Sequence, residues 1–162
     1  MPILYVMVGI PGSGKSYWAT NFLNNSYNRV YISRDNVRLG MLKEGEAYFS
    51  HEKAVFKQFV EEIVKYLKLG NDVIADATHN TKASRDKLIN AIRAAGVADS
   101  DYEIIFVVMK TSLNKCIHRD NTRTGRAHVT ESVIRDFFRW TSYPKQDDDD
   151  YPNRKGIWMI YE

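Results

Sequence analysis

Eight residues near the start, Gly9-Ile10-Pro11-Gly12-Ser13-Gly14-Lys15-Ser16, follow the spacing G-x-x-x-x-G-K-[ST] and come directly after the short apolar run Ile3 to Val8. A loop of this kind constrains the fold strongly. Its glycines let successive backbone N–H groups turn inward toward one anion, and the helix behind it adds its positive N-terminus. That works only where a buried strand delivers the loop and a helix receives it. The apolar run reads as such a strand, and the segment from about Gly14 to Leu23 as the helix. In this motif the lysine reaches the β- and γ-phosphates, and the Ser16 hydroxyl suits the shell of Mg²⁺. The expected ligand is a nucleoside triphosphate, held by Gly9, Pro11, Gly12, Ser13, Gly14, Lys15 and Ser16.

The rest of the chain alternates in the same way. Arg29 to Ser33, Asp72 to Thr78, Tyr102 to Met109 and Ile157 to Tyr161 read as further strands. Between them the spacing predicts helices: a short one capped by Ser33, a long amphipathic one over Ala47 to Leu69, one over Lys82 to Ala95, one from Ser112, and one over Thr130 to Trp140. Alternating strands and helices imply α/β architecture with a parallel sheet covered on both faces, the three-layer arrangement of P-loop NTPases. No repeat or linker divides the 162 residues, so a single domain over 1–162 is expected.

The motifs of a GTP-dependent switch are missing, because Asn114-Lys115 runs into Cys116-Ile117 and Asp76 into Ala77-Thr78-His79. A compact kinase fits better, needing only a donor site, an acceptor site and a closing lid. After the second strand comes Ser33-Arg34-Asp35-Asn36-Val37-Arg38. Strand ends in a doubly wound sheet open onto one crevice, which brings this segment beside the phosphate loop. Asp35 and Arg38 share a helix face there, the first suited to take a proton from an attacking hydroxyl and the second to grip an acceptor phosphate. The same two residues also suit a surface ion pair at a helix start. Arg119, Arg123 and Arg126 surround Gly125 and read as a basic lid over about residues 119–128, or as a solvated helix end. Asp76, closing the third strand, is the candidate carboxylate for water-mediated Mg²⁺ binding; Thr78 and Asn80 in the same turn suit contacts to the acceptor or, as the favoured reading, caps of the next helix. His51, His79, His118 and His128 show no ligand spacing, and Asp147 to Asp150 reads as a solvated acidic turn.

The phosphate loop with Trp18 shortly behind it, the segment Arg34-Asp35-Asn36-Val37-Arg38 and the spacing Arg119-x-x-x-Arg123 together resemble the polynucleotide 5′-hydroxyl kinase domain of phage end-healing enzymes. The resemblance runs from Ile3 to about Phe138. It implies Asp35 as general base, Arg38 as the acceptor-phosphate contact, Arg123 on the donor phosphates and Arg119 as its companion. The turn after the third strand departs from the family's Asp-Thr-Asn. It reads Asp76-Ala77-Thr78-His79, and aligning the threonines places Ala77 at the family's aspartate. The phosphatase domain fused in the best-known member has no counterpart, so 3′-end healing is not expected. The leading expectation is ATP- and Mg²⁺-dependent phosphoryl transfer to the 5′-hydroxyl of DNA or RNA. The alternatives are the same reaction on a nucleoside, a small metabolite or a hydroxymethylated base in DNA, and a nucleotide-dependent regulator without catalysis.

Charge fits a nucleic acid 5′ end as partner. The formal net charge is only +3, which argues against indiscriminate binding of polyanions. Residues 1–40 and 110–139, however, carry +3 and +4, while the remaining two stretches carry −2 each. Cys116 is the only cysteine, and no apolar run is long enough for a membrane. A cytoplasmic setting is expected, the host's cytoplasm if the chain is phage-encoded. Oligomeric state stays open.

Overall fold

The computed structural model describes residues 1–125, 128–147 and 151–162. Its elements run β1 (Ile3–Val8), α1 (Lys15–Leu23), β2 (Arg29–Ser33), α2 (Arg34–Met41), α3 (Glu52–Lys68), β3 (Asp72–Asp76), α4 (Lys82–Ala94), β4 (Glu103–Lys110), α5 (Leu113–Asn121), α6 (Glu131–Trp140) and β5 (Arg154–Tyr161). A short 3-10 turn, Asp99–Asp101, precedes β4. The strands form one parallel sheet in the order β2-β3-β1-β4-β5.

β1 is central, and Leu4, Val6 and Val8 on one face and Tyr5 and Met7 on the other are all buried. A strand apolar on both sides needs helices on both sides. On the first face α3 and α4 supply Phe59, Ile63, Leu88 and Ile92. On the second, α1 supplies Ala19, with Trp18 and Phe22 packed beside it. A smaller cluster of Ile10, Cys116, Ile117 and Ile134 fastens the phosphate loop to α5 and α6. The α/β three-layer expectation is therefore met.

This strand order places the functional crevice. The chain leaves β1 for β2 on one side, and later crosses from β3 over β1 to β4 on the other. The ends of β1, β2 and β3 therefore open side by side at the point where the order reverses.

Three boundaries differ from expectation. α3 starts at Glu52 rather than Ala47, because residues 43–51 turn instead: Gly45 takes φ +82°, and Glu46 N–H donates to the Lys43 carbonyl. β3 ends at Asp76, two residues early. β5 begins at Arg154, its polar first residues masking the start of pairing with β4. Among the described residues no helix is long and apolar enough to cross a membrane.

Candidate active site

The phosphate loop is pinned at both ends before it bends. Gly9 N–H donates to the Thr78 carbonyl at 2.9 Å, tying the end of β1 to the segment after β3. Thr111 Oγ1, just past β4, donates to the Ser13 carbonyl at 2.6 Å. Gly12 and Gly14 take φ +82° and +93°, where side chains are strained. A Cβ on Gly12 would also lie 2.6 Å from the Cys116 carbonyl oxygen, so α5 packs on the loop only because that position is glycine. Ser13 Oγ is buried with no partner among the described residues.

Lys15 arches back over the loop, its Nζ donating to the Ile10 carbonyl at 3.2 Å. Burial pulls its ammonium below the ordinary lysine value, against the opposite pull of Asp76 and Asp35; the Arg123 charge adds to the lowering. Charges from three separate segments, at Asp35, Asp76 and Arg123, thus bear on one ammonium.

Register explains the metal side. Ser33 pairs with Asp76 and Tyr31 with Ile74, so Tyr31 and Asp76 lie two positions apart on adjacent strands. Asp76 is 4% exposed, and its Oδ2 accepts from Ser16 Oγ at 2.7 Å and from the Tyr31 hydroxyl. Burial, then Asp76, raise the Tyr31 phenol well above its ordinary value, so it stays a donor. A buried carboxylate beside the loop serine, with an orphaned donor at Ser13, suits a triphosphate and its Mg²⁺. The Thr78 and Asn80 expectation is corrected: Thr81 caps α4, its Oγ1 accepting from Ser84 N–H at 3.1 Å. Asn80 instead donates to the Phe137 carbonyl at 3.3 Å and so ties α6 to this region.

On the acceptor side, Ser33 caps α2 by accepting from Asn36 N–H. Asp35 and Arg38 meet, as their spacing predicts. Arg38 is 6% exposed and held bidentately by Glu52, Nε to Oε2 at 2.7 Å and Nη2 to Oε1 at 2.6 Å. Burial opposes that charge, yet Glu52 and the Tyr48 hydroxyl hold the guanidinium above its ordinary pKa. The Tyr48 hydroxyl donates to Asp35 Oδ1 at 2.8 Å. Both bonds to Asp35 fall on Oδ1, so among the described residues Oδ2 has no donor.

The segment expected to form the lid contains an unforeseen brace. Asp120 is fully buried and accepts from Val129 N–H at 2.7 Å and Thr130 N–H at 2.9 Å, with His128 Nδ1 at 3.1 Å. It ties the end of α5 to the start of α6. Arg119, in the last turn of α5, points back to the Gly12 carbonyl at 3.2 Å and pairs with Glu162 at 2.7 Å. Arg123 lies past the helix and is exposed, so the two do not share one helical turn. Arg126 and Asp148 to Asp150 lie outside the described residues.

Sequence reasoning missed Tyr31, Tyr48, Glu52 and Asp120. Only Asp120, a lone carboxylate among lid arginines, carried a local signal. It also passed over His79, 5% exposed at φ +41°, whose Nδ1 bonds the Met7 carbonyl at 2.9 Å. Burial pushes its pKa down to about 4. The unfolded chain binds this proton near pH 6.5, so folding stability is full above that pH and falls as the pH drops, the loss complete by about pH 4. About 3 kcal/mol should be lost over that window, read as a falling urea midpoint. His79→Asn, which tolerates positive φ, should remove this component of the pH dependence.

A family model described as an AAA domain matches residues 4–144. The sequence is 25% identical to a protein described as a bifunctional polynucleotide kinase/RNA ligase from Autographa californica nuclear polyhedrosis virus, over 82% of this chain and 20% of that protein. The fold matches a structure of a Pnkp1/Rnl/Hen1 RNA repair complex at TM-score 0.75 and 25% identity, covering 93% of this chain and 47% of that one. It also matches a fungal RNA kinase at TM-score 0.68 and 15% identity, covering 98% and 73%. The chain thus spans a fifth of the viral relative and about half of the chain from the repair complex.

Proposed function

This chain belongs to the AAA domain family, and from that premise we propose that it transfers the γ-phosphate of ATP to the 5′-hydroxyl of a polynucleotide, DNA or RNA. The observation that carries the reading is the acceptor side. A carboxylate with one open oxygen and an arginine with one adaptable edge stand together, and the carboxylate's charge reaches the loop lysine. The names of the viral relative and of the repair complex support a nucleic acid as the acceptor.

In this mechanism the backbone of Gly9 to Ser16 cradles the donor phosphates, and Lys15 and Arg123 offset charge as it moves onto the leaving oxygen. Ser16 and Asp76 would hold Mg²⁺, which when bound neutralises phosphate charge. Glu52 grips Nε and Nη2 of Arg38 and leaves Nη1 for a phosphate of the acceptor strand. That phosphate competes with Asp35 and the Tyr48 hydroxyl for Nη1 and so releases the carboxylate from the arginine. The 5′-oxygen attacks the γ-phosphorus, its proton passes to Asp35 Oδ2, and the bond to the β,γ-bridging oxygen breaks, giving ADP and a 5′-phosphate end.

The test is a panel of acceptors with ATP labelled in the γ-phosphate: a 5′-hydroxyl oligonucleotide, free nucleosides, small polyols, and no acceptor. Label should pass to the oligonucleotide far faster than to the rest. Labelling of nucleosides or polyols alone would move the reading to a small-molecule kinase, and release of free phosphate alone to a nucleotide-hydrolysing regulator.

A further inference from the structure

Beside the acceptor residues stands an aromatic side chain that the mechanism does not use. Phe49 is 67% exposed, although burying it would be favourable. Its ring meets that of Tyr48 edge-on at 4.8 Å. The Arg38 guanidinium carbon lies 4.8 Å from the Tyr48 ring centre and 5.3 Å from that of Phe49. The turn that carries both rings is braced. Lys43 N–H donates to Glu46 Oε1 at 2.8 Å, His51 Nε2 meets Glu46 Oε2 at 2.6 Å, and Ser50 Oγ donates to the Ala47 carbonyl at 2.6 Å. Such bracing displays the ring in a fixed place at little entropic cost on binding.

We propose that Phe49 is a stacking platform for the nucleobase at the 5′ end of the acceptor strand. The proposal rests on the reading of the acceptor as a 5′-hydroxyl polynucleotide. A terminal nucleoside with its 5′-oxygen at Asp35 and its 3′-phosphate at Arg38 lies along a single turn of α2. Its base must leave the sugar to one side, and the flat surface offered next to Arg38 is the Phe49 ring. An apolar ring with no polar atom accepts any base by its π-face, so the platform selects nucleosides over sugars or polyols without choosing among bases. Arg38 against the same ring pair completes an alternation of phosphate contact and stacking surface suited to a single strand.

The test compares two acceptors, a 5′-hydroxyl oligonucleotide and the same strand with an abasic terminal residue. For the wild type, KM should rise roughly tenfold to a hundredfold on losing the base. Phe49→Ala should raise KM for the intact strand by a similar factor, add nothing for the abasic strand, and leave kcat and the KM for ATP within about twofold. Phe49→Trp should keep the wild-type discrimination, whereas Phe49→Leu, apolar but without a π-face, should lose it. An unchanged KM in Phe49→Ala, or an equal rise for both strands, would overturn the platform while leaving the transfer reading intact. A binding arm separates the two ideas. A 5′-terminal 2-aminopurine should have its fluorescence quenched by the wild type but not by Phe49→Ala. Quenching without any phosphoryl transfer would uphold the platform and defeat the kinase reading; absence of quenching by the wild type would overturn the platform.

Discussion

Lys15→Met is expected to cut kcat/KM for phosphoryl transfer by at least about a thousandfold while leaving the thermal midpoint unchanged or higher. The two halves of this result have separate causes. Lys15 is the charge that the phosphate loop holds over the Ile10 carbonyl, nothing else in the loop is cationic, and in the proposed reaction it faces the negative charge that collects on the transferring phosphoryl oxygens. Removing a preorganised donor of that kind costs far more at the transition state than in the ground state. Stability moves the other way. The folded protein pulls the lysine's pKa down chiefly by burial, so its charged form is less favoured in the fold than in the unfolded chain. Methionine fills the same volume without that cost. A variant that loses activity and also melts early would mean that Lys15 holds the loop together rather than serving the reaction.

Asp35→Asn is expected to lower kcat by about a hundredfold to ten-thousandfold, with the KM for ATP and for the oligonucleotide little changed. Asparagine retains an oxygen to accept from Tyr48 and Arg38, so the local bonds survive. What disappears is the basic oxygen able to take the proton. The fold should be almost indifferent, because the Asp35 side chain is 69% exposed and ion pairs at such sites contribute about 0–1 kcal/mol. Glu52→Gln gives a useful contrast. It weakens the grip on Arg38, so its effect should fall on acceptor KM more than on kcat.

Legibility from the sequence followed the range of the interactions. The phosphate loop is a local motif between local elements, and the structure runs it between β1 and α1 with Gly12 and Gly14 at positive φ. The central strands β1, β3 and β4 were readable because they are buried and apolar nearly throughout, whereas the edge strand β5 showed only its apolar second half. Asp35 and Arg38 were also readable as a pair, because one helical turn brings them together. What escaped reading was set by tertiary contact. Tyr31 reaches Asp76 across 45 positions, and Glu52 reaches Arg38 across 14, with no periodicity linking either pair. The start of α3 was misplaced because the four-residue spacing of Val55, Phe59, Ile63 and Leu67 extends back to Ala47, while the chain before Glu52 turns and sets Tyr48 and Phe49 against Arg38. His79 looked inert for want of ligand spacing, and its burial against the Met7 carbonyl depends on a strand 72 residues away.

The most direct test of the central claim is the initial rate of γ-phosphate transfer from ATP to a 5′-hydroxyl oligonucleotide, measured side by side for the wild type and Asp35→Asn, with the product digested to mononucleotides. The account predicts label in the 5′-phosphate of the terminal nucleotide, formed at least about a hundredfold more slowly by the variant. Label appearing elsewhere, or at equal rates in the two proteins, would contradict it.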